Sequence, residues 1–222
     1  MKRMFADLHI HTRCSRDSLM DPAKVVRVAR QRGLAAIAVT DHDTVRGGLL
    51  AREASGDGDV TVIVGAEVRT EYGDVLGLFL EEEITARRFD DVVAEIRAQG
   101  GLAVLAHPYR GHPFPGRLAG GVDLIEGFNS RSLPAANARS MRLSQACGKG
   151  TVGGSDAHVY AEIGRGVTVF AGEDIEDALR AGLTAGSGRE SSYYLVHALS
   201  CGIERLKGLS RAAALPSVFN AR

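Results

Sequence analysis

The chain lacks an excess of charge of either sign. Its 27 lysine and arginine residues are balanced by 27 aspartate and glutamate residues, which gives a formal net charge of zero. A protein that holds a long stretch of nucleic acid by its backbone needs a basic surface, so we expect no stable nucleic-acid partner. A small charged substrate remains compatible with this composition.

Long hydrophobic runs and cysteines are also scarce. No run approaches the roughly 18 consecutive apolar residues of a membrane-spanning helix, and the N-terminal Met-Lys-Arg leads directly into a strand-like pattern. The three cysteines, Cys14, Cys147 and Cys201, are too few and too scattered for a disulfide framework. These absences predict a soluble protein of the reducing cytoplasm with no membrane partner.

Strand-like and helix-like segments alternate along the chain. The first helix, over residues 22–32, begins at the N-cap and proline pair Asp21-Pro22 and ends before Gly33. From Tyr193 onward the pattern fits a strand and a long helix equally well. The same reasoning predicts strands over residues 34–40, 60–64, 75–80, 102–106, 122–128, 151–154 and 167–170, and helices over residues 89–99, 134–147 and 175–183.

This alternation predicts parallel strands joined by right-handed crossovers. About seven such units in one chain favour a closed α/β barrel over an open sheet. Apolar residues make up 45% of the 222 residues, which is enough for a substantial core, and the chain shows no internal repeat. We therefore predict one barrel domain over residues 1–210 and a flexible tail over residues 211–222.

A pair of histidines, His9 and His11, ends the first strand. Successive side chains of a strand alternate sides, so Asp7, His9 and His11 are expected on one face, with Leu8 and Ile10 on the other. Two imidazoles on one edge suggest a shared metal ion.

Further polar clusters follow the later strands. They contain His42, Glu67, His107, Asp156 and His158, each at the carboxyl end of a predicted strand. Barrel enzymes gather their active sites at that rim. Together with Asp17, Asp41 and Asp43, this set exceeds the three protein ligands of one catalytic zinc, which favours two or three ions.

Imidazole and carboxylate ligands without a committed cysteine suit zinc, manganese or iron. Neighbouring ions of this kind activate water and stabilise in-line displacement at phosphorus, so phosphoester hydrolysis is the leading chemistry. Glu67 is the natural bridging carboxylate because it can present two oxygens. Asp7, Asp41 and Asp43 are expected to orient the second ring nitrogens of the histidines.

The successive motifs resemble those of the PHP superfamily, named for polymerase and histidinol phosphatase. The resemblance implies a distorted (β/α)7 TIM-like barrel with two or three divalent metal ions, whose members hydrolyse phosphomonoesters or nucleotides. It extends from Asp7 to about His158 and rests on Asp7-Leu-His-Ile-His-Thr12, Thr40-Asp-His-Asp-Thr44, Gly65-Ala-Glu67, Ala106-His-Pro108 and Gly154-Ser-Asp-Ala-His158.

The resemblance also implies a division of the ligands among three ions. The first ion would be held by His9, His11, Glu67 and Asp156. Glu67 and His107 would hold the second, and the third would be held by Asp17, His42 and His158. The chain departs from the histidinol phosphatase pattern at Asp17, where that branch has a histidine, and it shows no clear counterpart of an extra histidine at the second ion.

Substrate contacts are predicted from the loop that follows the strand over residues 122–128. Asn129 and Arg131 lie there, and a guanidinium at this rim would clamp phosphate oxygens through two hydrogen bonds. A solvated loop arginine is an equally good interpretation of Arg131. Arg13 and Arg110, on neighbouring rim loops, are competing phosphate ligands.

These observations support a metal-dependent phosphoesterase that acts on a small phosphorylated substrate with a metal-activated hydroxide. One alternative is an amidohydrolase-like metal hydrolase, which also begins with a His-x-His strand but typically has a lysine where this chain has Glu67. Another is a non-catalytic, metal-stabilised regulatory or polymerase-associated module. The nearly complete ligand set argues against that last hypothesis.

Overall fold

Nine strands and seven helices occur in the described part of the chain, which comprises residues 3–56, 58, 60–172 and 174–213 of a computed structural model. The strands are β1 (Arg3–Ile10), β2 (Ala36–His42), β3 (Thr61–Thr70), β4 (Gly73–Leu78), β5 (Leu102–Leu105), β6 (Leu124–Asn129), β7 (Thr151–Gly154), β8 (Gly166–Ala171) and β9 (Ala185–Gly188). The helices are α1 (Pro22–Gln31), α2 (Arg46–Ser55), α3 (Phe89–Ala98), α4 (Pro115–Leu118), α5 (Pro134–Cys147), α6 (Ile175–Arg180) and α7 (Tyr193–Ala213).

The strands form one sheet in the order β7-β6-β5-β4-β3-β2-β1-β8-β9. The sheet curls until β7 meets β1 and β8. Ala157, just after β7, bridges to Ile10 of β1, and the His11 amide donates to the Ala157 carbonyl at 2.9 Å. Thr168 of β8 contacts both the amide and the carbonyl of Gly153 in β7, at 2.8 and 2.9 Å. The barrel is therefore nearly closed, and the predicted distorted TIM-like barrel is confirmed.

Strand pairing is mixed, which corrects the prediction of parallel pairing throughout. The pairs β1–β2, β2–β3, β5–β6 and β6–β7 are parallel, whereas β3–β4, β4–β5, β1–β8 and β8–β9 are antiparallel. Only Glu71 and Tyr72 separate β3 from β4. A two-residue connection can join antiparallel strands, but a parallel pair needs a crossover of a dozen or more residues.

Strand β1 contains a β-bulge between Asp7 and Ile10. Leu8 packs in the hydrophobic cluster that includes residues of β4, β5 and β6, whereas Ile10 packs in a second cluster with α1. The prediction that Leu8 and Ile10 share a face is therefore wrong. The extra residue of a bulge shifts the alternation of side chains by one position, and the local sequence pattern does not predict a bulge here.

The predicted helices are observed close to their expected bounds. Asp21 caps α1 by accepting from the Lys24 amide at 3.1 Å, as expected. Helices α2 and α4 and strand β9 were not predicted. The undecided segment from Tyr193 is helical, and the predicted tail over residues 211–222 lies outside the described residues beyond position 213. Among the helices of the described ranges, none combines the length and apolarity required to cross a membrane.

Helix α2 escaped prediction because two glycines, Gly47 and Gly48, lie in its first turn. Packing explains both glycines. A Cβ atom at Gly48 would lie 3.1 Å from the Val64 Cα of β3, and one at Gly47 would collide with the carboxylate of Asp41. The helix thus approaches the sheet more closely than residues with side chains would allow.

Candidate metal centre

The eight predicted metal ligands meet at the rim formed by the carboxyl ends of the strands. Six of them are buried, and the side chains of Asp17 and His42 are 14% and 18% exposed. Glu67 lies in the middle. Its Oε2 atom is 3.3 Å from His9 Nε2, 3.2 Å from His11 Nε2 and 3.3 Å from His42 Nδ1, and its Oε1 atom is 2.9 Å from His107 Nε2.

The first group of potential ligands surrounds the predicted pair His9 and His11. Asp156 joins them, with its Oδ1 atom 3.3 Å from His11 Nε2 and 3.8 Å from His9 Nε2. The His11 Nε2 atom is buried between two carboxylates yet has no hydrogen-bond partner. Two imidazole nitrogens and two carboxylates thus converge without a hydrogen bond at His11 Nε2, and this donor set fits a metal ion.

The second group contains Glu67, His107 and Asp74, whose ligand atoms lie within 4.8 Å of one another. Asp74 was missed because the predicted strand began at Val75. It reaches the rim through the antiparallel β3–β4 hairpin, where it pairs with Arg69, two residues beyond Glu67. A polar residue at the start of an otherwise apolar strand was the available signal.

The third group is built around Asp17. Its Oδ2 atom lies 2.9 Å from His158 Nε2 and 3.2 Å from His42 Nε2, and His11 completes the group within 4.8 Å. Asp17 comes from an irregular loop between β1 and α1. The structure thus brings together all three ligands that the family resemblance assigned to a third ion.

Two of the ligands have positive φ angles, a backbone conformation that residues other than glycine rarely adopt. His107 has a φ angle of 27° and Asp156 a φ angle of 55°. Such conformations cost of order 1–3 kcal/mol each and are typical of functional sites. They aim both side chains back into the cluster at points where the strands have ended.

The ring orientations are set by residues other than those predicted. His9 Nδ1 contacts Glu126 Oε1 at 2.9 Å, and His11 Nδ1 contacts Ser15 Oγ at 3.0 Å. Glu126 Oε2 also accepts from the His107 amide at 2.6 Å. Glu126 was visible in sequence as an acidic residue inside an apolar strand. Its partners were not, since they come from β1 and the end of β5.

The prediction that Asp7, Asp41 and Asp43 orient ring nitrogens is wrong. Asp7 accepts from the backbone amides of residues 155 and 164, at 2.9 and 2.6 Å. Asp41 accepts from the amide and hydroxyl of Thr12, both at 2.6 Å, and Asp43 accepts from the amide of residue 69. These aspartates hold loops in place because the bulge and the strand ends turn them away from the rings.

Charge in the cluster is shared between acids and imidazoles. Burial raises the pKa of Glu67, but His42, His9 and His107 outweigh burial and hold it well below its usual range. Burial lowers the pKa of His11, and the carboxylates of Asp156 and Glu67 raise it to about 9. The carboxylates are therefore ionised, as metal binding requires, whereas His11 must release its proton when an ion binds.

The predicted substrate-binding residues lie close to the cluster but differ in accessibility. Arg131 is buried, and its guanidinium forms two hydrogen bonds to Glu162, at 3.0 and 2.7 Å. Arg110, a competing candidate, lies beside the cluster with its Nη2 atom 2.5 Å from Asp156 Oδ2 and 31% of its side chain exposed. Arg13 instead pairs with Asp21 at the surface.

Asn129 links these groups. Its Oδ1 atom accepts from Arg110 Nη1 at 3.4 Å and from the Arg131 amide at 2.9 Å. Its Nδ2 atom donates to Asp156 Oδ2 at 3.3 Å and to both oxygens of Glu126. Asn129 is thus buried between the ligand cluster and the arginines.

Replacing Glu126 tests the support of His9. Glutamine offers one acceptor oxygen, whereas the two oxygens of Glu126 face separate N–H donors on His9 and His107. We expect Glu126→Gln to weaken metal binding by about 10–100-fold, as is typical when a group that orients a ligand is lost. Titration calorimetry with Mn²⁺ measures this. Glu95→Gln, which alters a half-buried glutamate that accepts backbone amides, should bind as the wild type does, and equal affinity in both variants would contradict the assignment.

A second prediction concerns Gly47. A Cβ atom there would displace the Asp41 carboxylate, which holds Thr12 and the Ser15 amide and so braces the loop next to His11. We expect Gly47→Ala to lower the free energy of unfolding by about 1–3 kcal/mol. Gly202→Ala, at an open position of α7, should be neutral or stabilising by up to about 1 kcal/mol. Urea denaturation of both variants separates the two outcomes, and equal stabilities would contradict the steric argument.

Comparison with known proteins identifies the family of this cluster. The sequence signature of the PHP domain matches residues 7–128, and a PHP-associated signature matches residues 134–187. The chain belongs to the PHP domain family. The first stretch contains six of the eight predicted metal ligands, and the second contains the other two, Asp156 and His158.

Two curated relatives show that similar sequences occur in proteins of different length. The uncharacterized protein MJ1587 of Methanocaldococcus jannaschii is 38% identical over 117 residues, which cover 48% of this chain and 68% of that protein. An error-prone DNA polymerase of Mycobacterium tuberculosis is 33% identical over 116 residues, which cover 49% of this chain and 10% of the polymerase. The PHP region thus also occurs as a small part of a much longer protein.

Solved structures share the fold. A two-domain protein from Bacteroides vulgatus, described as containing a predicted PHP-like metal-dependent phosphoesterase, superimposes with a TM-score of 0.72 at 22% identity, over 85% of this chain and 65% of that one. An amidohydrolase from Chromobacterium violaceum superimposes with a TM-score of 0.64 at 19% identity, over 81% of this chain and 97% of that one. At these identities the likeness establishes the barrel fold and leaves the substrate open.

Proposed function

We propose that this PHP protein is a metal-dependent phosphoesterase that hydrolyses a small phosphomonoester or nucleotide at a centre of two or three divalent ions. The observation that carries this proposal is the position of Glu67. One carboxylate lies between four imidazole rings and offers its two oxygens in two directions, to His107 on one side and to His9, His11 and His42 on the other.

The donor set suits manganese, zinc or iron. In this proposal the first ion is held by His9, His11, Glu67 and Asp156. The second is held by Glu67, His107 and Asp74, and the third by Asp17, His42 and His158. When bound, such ions supply Lewis-acid stabilisation of the phosphoryl oxygens and lower the pKa of water so that it can attack phosphorus.

The surrounding cleft supports a small anionic substrate. It has a volume of about 270 Å³ and is bordered by arginines 16, 69, 110 and 131 as well as by the ligand cluster. Arg110 is the best placed to bind a phosphate group, because its guanidinium is partly exposed in the cleft and is oriented by Asp156 and Asn129. We therefore propose Arg110 as the phosphate ligand in place of Arg131, with Asn129 as the residue that orients it.

The charge around the cleft favours phosphoester hydrolysis over amide hydrolysis. A substrate amide or lactone is neutral and has no need of several arginines beside the reacting group, whereas a phosphate dianion forms charge-assisted hydrogen bonds with them. The bridging residue is also a carboxylate, Glu67, where the amidohydrolase-like pattern has a lysine. A purely regulatory role would leave both the arginines and the buried ligand set without a purpose.

The experiment is a metal analysis followed by activity measurements. Protein loaded with Mn²⁺, Zn²⁺ or Fe²⁺ is expected to hydrolyse para-nitrophenyl phosphate, and a chelator should abolish turnover. Asp156→Asn and His9→Ala should lose activity and bound metal, whereas Asp90→Asn, at an exposed carboxylate of α3, should retain both. Turnover that survives the ligand variants, or turnover of amides and lactones alone, would contradict the proposal.

A further inference from the structure

Helix α7 closes one side of the candidate metal centre. Its residues Val196, Ser200, Cys201 and Glu204 border the cleft together with the ligand cluster. Further along the helix, the Lys207 ammonium donates to three backbone carbonyls of the loop that follows β1. The acceptors are the oxygens of residues 13, 15 and 18, at 2.9, 2.6 and 2.6 Å.

This loop presents Asp17 to the third group of ligands. The loop has no helical or strand hydrogen bonds of its own, so the position of Asp17 depends on contacts made by its neighbours. Two of the carbonyls that Lys207 binds, those of Ser15 and Ser18, flank Asp17 in sequence. An ammonium group suits this task because it is a compact charge with three donors, which three converging carbonyl oxygens can satisfy.

The same helix reaches the other side of the third group. Ser200 accepts from Arg131 Nη1 at 2.8 Å, and the paired Glu162 accepts from the His158 amide at 3.1 Å. Near the mouth of the cleft, Arg16 contacts Glu204 at 3.2 Å. Helix α7 is therefore connected to both Asp17 and His158, whose side chains lie 2.9 Å apart.

We propose that Lys207 is a positioning residue that holds Asp17 in place, so that helix α7 completes the third ion group. The role in ion binding rests on the proposed function, whereas the restraint on the loop does not. The first group draws its ligands from the end of β1, β3 and the segment after β7, and it contacts this loop only where Ser15 meets His11. Its ion should therefore be affected less by the loss of Lys207.

The test compares Lys207→Met with Lys149→Met. Both changes remove an ammonium that donates to backbone carbonyls, but Lys149 binds the Val122 carbonyl at 2.7 Å, away from the ligand cluster. For Lys207→Met we expect the weakest of the Mn²⁺ binding steps to become about 10–100-fold weaker in titration calorimetry, with a smaller change in the tightest step. Lys149→Met should bind Mn²⁺ as the wild type does, and Lys207→Arg should recover part of the affinity.

Two further measurements make the outcome specific. If Lys207 acts through Asp17, adding Lys207→Met to Asp17→Asn should weaken binding no further, whereas additive losses would overturn the proposal. In metal-free protein, amide hydrogen exchange over residues 12–19 should accelerate in Lys207→Met while strand β2 is unchanged. Unchanged exchange in that loop would overturn the proposal even if the protein binds metal. If the wild type binds no Mn²⁺ but exchange in the loop still accelerates in Lys207→Met, the proposed function and the ion-binding role are contradicted and the restraint on the loop is supported.

Discussion

Glu67→Gln is expected to remove most of the phosphoesterase activity and to lower the number of ions bound per chain. Glutamine has one acceptor oxygen and an NH₂ group. It therefore cannot present one oxygen toward His107 and a second oxygen toward the three other rings. Loss of a bridging ligand should cost roughly 4 kcal/mol of transition-state stabilisation, or about 10³-fold in kcat/KM. Steady-state kinetics and plasma mass spectrometry of bound metal measure both effects.

The matched control is Glu81→Gln, which makes the same chemical change at an exposed glutamate paired with Arg52. It should retain wild-type turnover and metal content. If Glu67→Gln kept full metal content and stayed within tenfold of wild-type kcat/KM, Glu67 would not bridge two ions. The proposed centre would then have to be reduced to separate sites.

Arg131→Met is expected to have the largest effect on stability. It would leave the buried Glu162 carboxylate, which is 3% exposed, without the guanidinium that pairs with it through two hydrogen bonds. Breaking one partner of a buried ion pair typically costs 3–5 kcal/mol because an uncompensated charge remains, so about that loss is expected in urea denaturation. The double variant Arg131→Met/Glu162→Leu should recover only part of it, since Glu162 also accepts from the His158 amide.

Arg110→Met provides the contrast. Arg110 is partly exposed, and the Asp156 carboxylate that it pairs with keeps His9 and His11 as neighbours. We therefore expect a smaller change in stability but a higher KM for phosphoester substrates. A variant of Arg131 that stayed fully stable and lost only substrate binding would contradict this division and support the original prediction that Arg131 binds phosphate.

Local chemistry explains why much of the metal centre was predictable. Histidine and carboxylate residues directly after apolar runs stand out in any sequence, and the carboxyl ends of parallel strands meet at one rim. His9, His42, Glu67, His107 and Asp156 were found in this way, and the structure places them together. The helices over 89–98 and 134–147 were similarly marked by their own periodicity and end signals.

The amino-acid sequence by itself thus determined the family, the barrel and the chemical identity of the candidate ligands. Tertiary structure decided which residues support them: Asp74 arrives through an antiparallel hairpin, the β1 bulge turns Asp7 away, and Glu126 serves two histidines from distant strands. It also decided that Arg131 is a buried partner of Glu162 and that Lys207 binds a loop 192 residues away in sequence. These contacts depend on strand register and on packing between segments that are distant in sequence, and short-range sequence patterns do not specify either.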